Sequence, residues 1–383
     1  MLRLFGSALA LLALLGCADV PLAPPVEPQA LLRDEAFPKP AQVIDASEVF
    51  AIDNAMREYL RHARPLMRQQ GQARGLVDAL YTRGDLKLEY DASYTRNASQ
   101  AFAARSGNCL SLVVMTAALA KELGLDVEFH SAYADETWSR SGTLLLRSGH
   151  INITLGRRTI DRARGEDPSR WTIDFLPQDD LRGLRTARLK EGTVVSMFMN
   201  NRAAEALARE AYDEAYWWAR EGLIADPSFV GVLNTLGVVY HRSGRLAEAE
   251  RVYQALLQRH PHQTQALNNL VQLLERQGRH AEARPLAARL AALEPEPPYH
   301  WFVQGQLALR RGDARAARDF FAREVARADY SSEFHYWLAL AQYQLGETEA
   351  AQRSLEKAES LSTSRGERDL YAAKLAWLNQ RRH

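Results

Sequence analysis

A spacing of 34 residues governs the second half of this 383-residue chain. Gly244, Gly278, Gly312 and Gly346 stand 34 apart; Ala249, Ala283, Ala317 and Ala351 keep the same interval, and Ala215 extends it one unit back. Pro227, Pro261 and Pro295 form a third series with that period. Three registers sharing one period mark a repeating structural unit, and a pair of antiparallel helices fits it. The glycine closes the first helix, where a left-handed cap suits a residue without Cβ. The alanine five residues later lets the second helix pack closely, and the proline ends that helix and opens the next unit. Small residues recur inside the first helices at Gly237, Gly305 and Ala339, where close contact is needed.

These positions resemble the tetratricopeptide repeat (TPR). Five units run from about Asn200 to Ser362, followed by a solvating capping helix, Gly366 to Arg382. The first unit is degenerate, with Glu210 in the glycine slot, and the fourth ends at Asp329 without proline. The resemblance implies an all-α superhelix over 191–383 whose concave face holds an extended peptide or partner helix, here an envelope protein or peptide. Trp217, Trp218, Trp301 and Trp337 could line that groove, although aromatics at helical spacing more often form core. His260-Pro261-His262 falls on a repeat boundary without a carboxylate or cysteine partner, so it reads as a solvated turn and not a metal site.

The other end carries an address. Arg3 precedes an apolar run, Leu4 to Leu15, that is too short to span a bilayer. Leu14-Leu15-Gly16-Cys17 follows, and it resembles the bacterial lipobox. The resemblance implies a signal peptide over 1–17 and lipidation of Cys17. Each buried methylene would contribute about 0.8 kcal/mol to a membrane anchor. Ala18 after the cysteine implies the outer membrane, facing the periplasm. Pro21, Pro24, Pro25, Pro28, Pro38 and Pro40 then predict an extended tether over 18–45. With 48 basic against 47 acidic residues and no basic run, the chain has no footprint for nucleic acid.

Between these parts, residues 46–190 mix helix and strand patterns. Asp45-Ala46-Ser47 offers caps for a helix with Val49, Ile52, Met56, Tyr59 and Leu60 on one side, a second helix is expected over Ala73–Tyr81, and Leu86–Tyr90 alternates like a strand. Arg105-Ser106-Gly107-Asn108-Cys109 runs into an apolar helix that Gly124 ends, and Val127 to Tyr133 reads as a strand. Cys109 therefore falls at a helix N-terminus, where the dipole and free backbone N–H groups favour negative charge on sulfur and can stabilise an oxyanion. Apart from Cys17 it is the only cysteine. A base must reach it. In His150-Ile151-Asn152-Ile153-Thr154-Leu155 the apolar residues alternate, placing His150, Asn152 and Thr154 on the polar face of a half-buried strand that opens after Gly149. His130 is the second candidate; His62 lies in an exposed helical pattern. Asp174, in Trp171-Thr172-Ile173-Asp174, is preferred as the carboxylate that orients the imidazole, with Asp161 the alternative.

Gly-x-Cys at a helix start, Gly-His at a strand, then Ile-Asp on the next strand resembles the bacterial transglutaminase-like superfamily, over roughly Tyr94 to Pro177. The resemblance implies a papain-like α+β fold with Cys109 as nucleophile, His150 as base and Asp174 as the orienting acid, and it requires no cofactor. Many members place an aromatic residue soon after the histidine and a proline after the aspartate; this chain has Ile151 and Asn152, and Phe175. The oxyanion helper comes from upstream of the cysteine, with Asn97 or Gln100 as candidates. The expected chain is an α+β papain/transglutaminase-like domain followed by an all-α TPR superhelix. Its expected activity is a thiol hydrolase or acyl transferase acting on an envelope amide bond; the alternative is a non-catalytic envelope scaffold.

Overall fold

The computed structural model describes residues 27–82, 88–141, 144–156, 170–175 and 185–380. Cys17, the rest of the leader, and Asp161 lie outside the described residues.

A short helix α1 (Pro28–Leu31) leads to α2 (Asn54–Gln70), α3 (Gln72–Val77), the two-residue strand β1 (Glu89–Tyr90), α4 (Ala98–Ala104), β2 (Ser106–Gly107) and α5 (Cys109–Glu122). Then come β3 (Asp126–Ser141), β4 (Leu144–Gly156), β5 (Trp171–Ile173) and β6 (Arg185–Leu189). These four strands form an antiparallel sheet in the order β5-β4-β3-β6, while β1 and β2 pair in parallel. The predicted helix after Asp45 starts later than expected. Asp45 caps only a single 3₁₀ turn, Ala46–Phe50, and Asp53 caps α2 by accepting from the Met56 N–H. Two cap residues compete here, and the second one opens the longer apolar stripe, with Met56, Leu60 and Met67 buried.

Helix α5 is apolar around its whole circumference, and Leu110 to Ala120 are all buried. Ile151, Ile153 and Leu155 of β4 are fully buried in the same core. The opposite face of β4 differs from its half-buried expectation: His150, Asn152 and Thr154 are 9%, 7% and 7% exposed. His150 also lies within the strand rather than at its start, because β4 begins at Leu144.

Ten helices in five antiparallel pairs make up the C-terminal part: α6 (Glu191–Ala208) with α7 (Tyr212–Ala225), α8 (Val230–Arg242) with α9 (Leu246–Arg259), α10 (Thr264–Arg276) with α11 (His280–Leu293), α12 (His300–Arg310) with α13 (Ala314–Arg327), and α14 (Ser332–Gln344) with α15 (Thr348–Ser360). Helix α16 (Arg365–Gln380) caps the array. Gly244, Gly278, Gly312 and Gly346 take φ of +81°, +74°, +79° and +78°, and Glu210, in the degenerate slot, is forced to +60°. Trp217 and Trp337 pack into the interior of the array, Trp337 against Phe302 and Phe321.

The predicted tether is, from residue 27 on, a docked segment. Phe37 stacks flat on Tyr216 at 4.0 Å between ring centroids, and Leu31 and Phe37 are 8% and 3% exposed. Tyr216 Oη accepts from the Arg33 N–H and donates to Asp34, Arg220 pairs with Asp34, Trp217 Nε1 donates to the Pro38 carbonyl, and Tyr240 Oη donates to the Leu31 carbonyl. Proline content sets local backbone geometry, but it does not prevent flanking apolar residues from finding a cleft.

An added Cβ on Gly237 or Gly305 would overlap the ring of Tyr253 or Phe321. Helix propensity alone would make Gly237→Ala stabilising by about 1 kcal/mol. Overpacking against a buried ring costs about 1–3 kcal/mol, so the clash wins. Gly237→Ala should lower the thermal midpoint measured by circular dichroism; a raised midpoint would mean that Tyr253 yields freely.

Candidate active site

Cys109 is the first residue of α5 and is partly buried. Its placement begins one residue earlier. Asn108 caps α5, its Oδ1 accepting from both the N–H and the hydroxyl of Ser111 at 2.9 Å, while its Nδ2 donates to Thr95 Oγ1. Gly107 is required here, since a Cβ would lie 2.6 Å from Ser111 Cβ. Thr95 in turn donates its N–H to Glu205 of α6 at 2.7 Å. Burial raises the Glu205 carboxyl from its ordinary pKa, partly opposed by these bonds and by Arg202. Arg202 lies between the rings of Tyr94 and Trp218. A chain of polar contacts thus ties the start of the cysteine helix to the first helix of the repeats.

The structure brings His150 and Asp174 to this point. His150 Nε2 donates to Asp174 Oδ1 at 2.6 Å, and the imidazole also faces the Cys109 side chain. Asn152 Nδ2 donates to Asp174 Oδ2 at 3.2 Å. The register explains the juxtaposition: Ile153 faces Ile173 and Thr154 faces Thr172, so Asp174 emerges beside the alternate residues of β4. Phe175 packs edge-on against Tyr81 at 5.4 Å, and Arg74 covers Trp171, so both ends of β5 are pinned to the helical side of the domain. Phe175 therefore supplies by packing what a proline after the aspartate would supply by backbone restriction.

The other candidates go elsewhere. His130 sits beside Glu128, which Arg170 and Arg188 also engage. His62 is on exposed α2 with Nδ1 against the Glu58 carbonyl. Asn97 and Gln100 form the capping box of α4, each amide oxygen accepting the other residue's backbone N–H. Among the described residues no group of three or more His, Cys, Asp and Glu could hold a metal ion.

The two histidines on neighbouring strands shift in opposite directions. Burial pulls both downward. At His130 it prevails, because Arg170 and Arg188 oppose the Glu128 charge. At His150 the hydrogen bonds to Asp174 and Cys109, and their charges, outweigh burial and lift the pKa to about 9. A group raised above its unfolded value of about 6.5 stabilises the fold fully below that pH, and the contribution fades as pH rises through 9. The stability difference between the native protein and Asp174→Asn, from denaturant titrations, should be largest near pH 6 and shrink above pH 9. A constant difference would show that Asp174 acts without charging His150.

A family model described as tetratricopeptide repeat matches residues 234–300, 280–332 and 302–363. A TPR repeat-containing protein of Pseudomonas aeruginosa is 29% identical over 190 residues, which is 49% of this chain and 28% of that protein. The chain thus spans under a third of the length of the curated relative it matches. Among solved structures, pilF of Pseudomonas aeruginosa is 19% identical, with 50% of this chain and 88% of that chain covered at a TM-score of 0.30. A thermophilic TPR protein of Thermus thermophilus is 18% identical, with 47% and 99% covered at a TM-score of 0.30. Cys109, His150 and Asp174 fall outside the residues of the family match. The C-terminal half of the chain is an array of tetratricopeptide repeats.

Proposed function

We propose that the chain is a lipid-anchored envelope protein that holds a protein or peptide partner on its repeats and acts on an amide bond through Cys109. The repeats supply the first half of this reading, since such arrays are protein-interaction modules. The observation that carries the second half is a buried imidazole held between a carboxylate and a thiol. A helix opening with a cysteine and packed on an antiparallel sheet that brings in histidine and aspartate also supports the papain-like reading.

In the proposed reaction the Cys109 thiolate attacks the amide carbonyl, forming an S–C bond and an oxyanion. As the oxyanion collapses the C–N bond breaks, and His150, protonated at neutral pH, gives its proton to the departing amine. Water or a second amine then resolves the thioester. Asp174 keeps the ring aimed at sulfur throughout and stabilises its charged form. Leu14-Leu15-Gly16-Cys17 supports the lipid anchor, and Ala18 supports an outer-membrane destination.

A second reading is a scaffold that only binds, and it is favoured by a family match confined to the repeats. Alkylation separates the two. Iodoacetamide should label Cys109 faster than free cysteine at pH 7, and His150→Ala should slow that labelling by about tenfold or more. Labelling at the rate of free cysteine would leave the scaffold. For the anchor, radiolabelled palmitate should enter the native chain and be absent from Cys17→Ala; equal labelling would remove the lipobox reading.

A further inference from the structure

Asn97 and Gln100 turn their amide oxygens to the cap of α4, and a donor closer to the cysteine would stabilise an oxyanion directly. The strand β1 supplies one. Its parallel register with β2 sets Glu89 beside Ser106 and Tyr90 beside Gly107, two residues before Cys109. The pairing is secured by the Glu89 N–H donating to the Arg105 carbonyl at 2.9 Å and the Asp91 N–H donating to the Gly107 carbonyl at 3.1 Å. The next turn is fixed as well. Asp91 is held by Ser93 and Arg96, and the Ala92 N–H donates to the Thr363 carbonyl just before α16.

In this frame the Tyr90 phenol lies against the backbone N–H and the sulfur of Cys109. Tyr90 is 40% exposed, so part of the ring lies open to an incoming chain while its oxygen is turned to the start of α5. It does not belong to the apolar core that receives Tyr59 and Tyr81. A phenol oxygen that faces an N–H still has its own proton to donate. Burial and the neighbouring sulfur push the phenol above its ordinary range, which keeps that proton in place.

We propose that Tyr90 is a further catalytic residue of the Cys109 site, its O–H donating to the substrate carbonyl oxygen as that oxygen becomes an oxyanion. This rests on the thiol-attack reading given above. When sulfur bonds to the carbonyl carbon, the C=O π electrons move onto oxygen, and Tyr90 O–H stabilises the charge by hydrogen bonding without transferring its proton. When the C–N bond breaks the C=O bond re-forms, and the Tyr90 hydrogen bond weakens with it. Such a group is stronger in the transition state than in the ground state, which is what accelerates the step.

The test compares two reactions of the same sulfur in the intact chain. Acylation by p-nitrophenyl acetate passes through a tetrahedral oxyanion; alkylation by iodoacetamide displaces iodide and makes none. Loss of a single oxyanion donor costs about 10²–10³ in well-formed sites, and here Cys109 N–H remains, so Tyr90→Phe should slow acylation by about 10–100-fold. The alkylation rate should stay within about twofold of the native protein, since no oxyanion forms in that displacement. Unchanged acylation, or acylation and alkylation falling together, overturns the role of Tyr90 while leaving Cys109 as nucleophile. Native acylation no faster than that of free cysteine ends the thiol reading itself, and it is seen before any variant is made. A thermal melt of Tyr90→Phe that matches the native curve keeps a folding defect from imitating the result.

Discussion

Helix α5 has no polar side to offer to water, and the rest of the N-terminal domain is arranged to cover it. Met115, Leu119, Val113 and Val114 are fully buried, and burial of a large apolar side chain contributes about 1.5–3 kcal/mol. The sheet covers one flank through Ile151, Ile153 and Leu155. Val194, Val195, Phe198 and Met199 of α6 belong to the same apolar cluster, so the first repeat helix helps to complete the domain. A helix wrapped on every side leaves only its ends accessible. Cys109 occupies one of those ends, and the cap at Asn108 settles where the sulfur can sit.

Periodicity in a sequence is legible because it reports burial averaged over many residues. The 34-residue interval predicts the helix pairs and puts Glu210 in a glycine slot, where it takes a φ of +60°. Alternation along His150–Leu155 placed histidine and asparagine on one face, and the carboxylate preferred from Trp171–Asp174 is the one that meets the imidazole. Asp161 lies outside the described residues. What could not be read were contacts between distant segments. Nothing near Phe37 announces Tyr216, and nothing near Thr95 announces Glu205. Tyr90 stands in the alternating run Leu86–Tyr90, but alternation does not announce the sulfur that the ring meets. Asn97 and Gln100 carry the Asn-x-x-Gln spacing of a capping box, and that is the contact they make.

Charge near the sheet is arranged by crowding rather than by residue type. Both histidines lie on strands beside a carboxylate, yet the two carboxylates have different company. Glu128 is shared by Arg170, Arg188 and His130, and the two arginines oppose its pull on the ring. Asp174 is instead backed by the neutral amide of Asn152.

The segment at residues 28–38 determines how force enters the molecule. Leu31 and Phe37 are plugged against α7 and its neighbours, with Asp34 locked to Arg220. Tension applied at the amino end is therefore borne first by an aromatic stack and an ion pair on the repeats, well before it reaches α2 or α5. The Cys109 end of α5 is mechanically shielded, and a pull at residue 27 would load the helix array while leaving the spacing of sulfur, ring and carboxylate undisturbed.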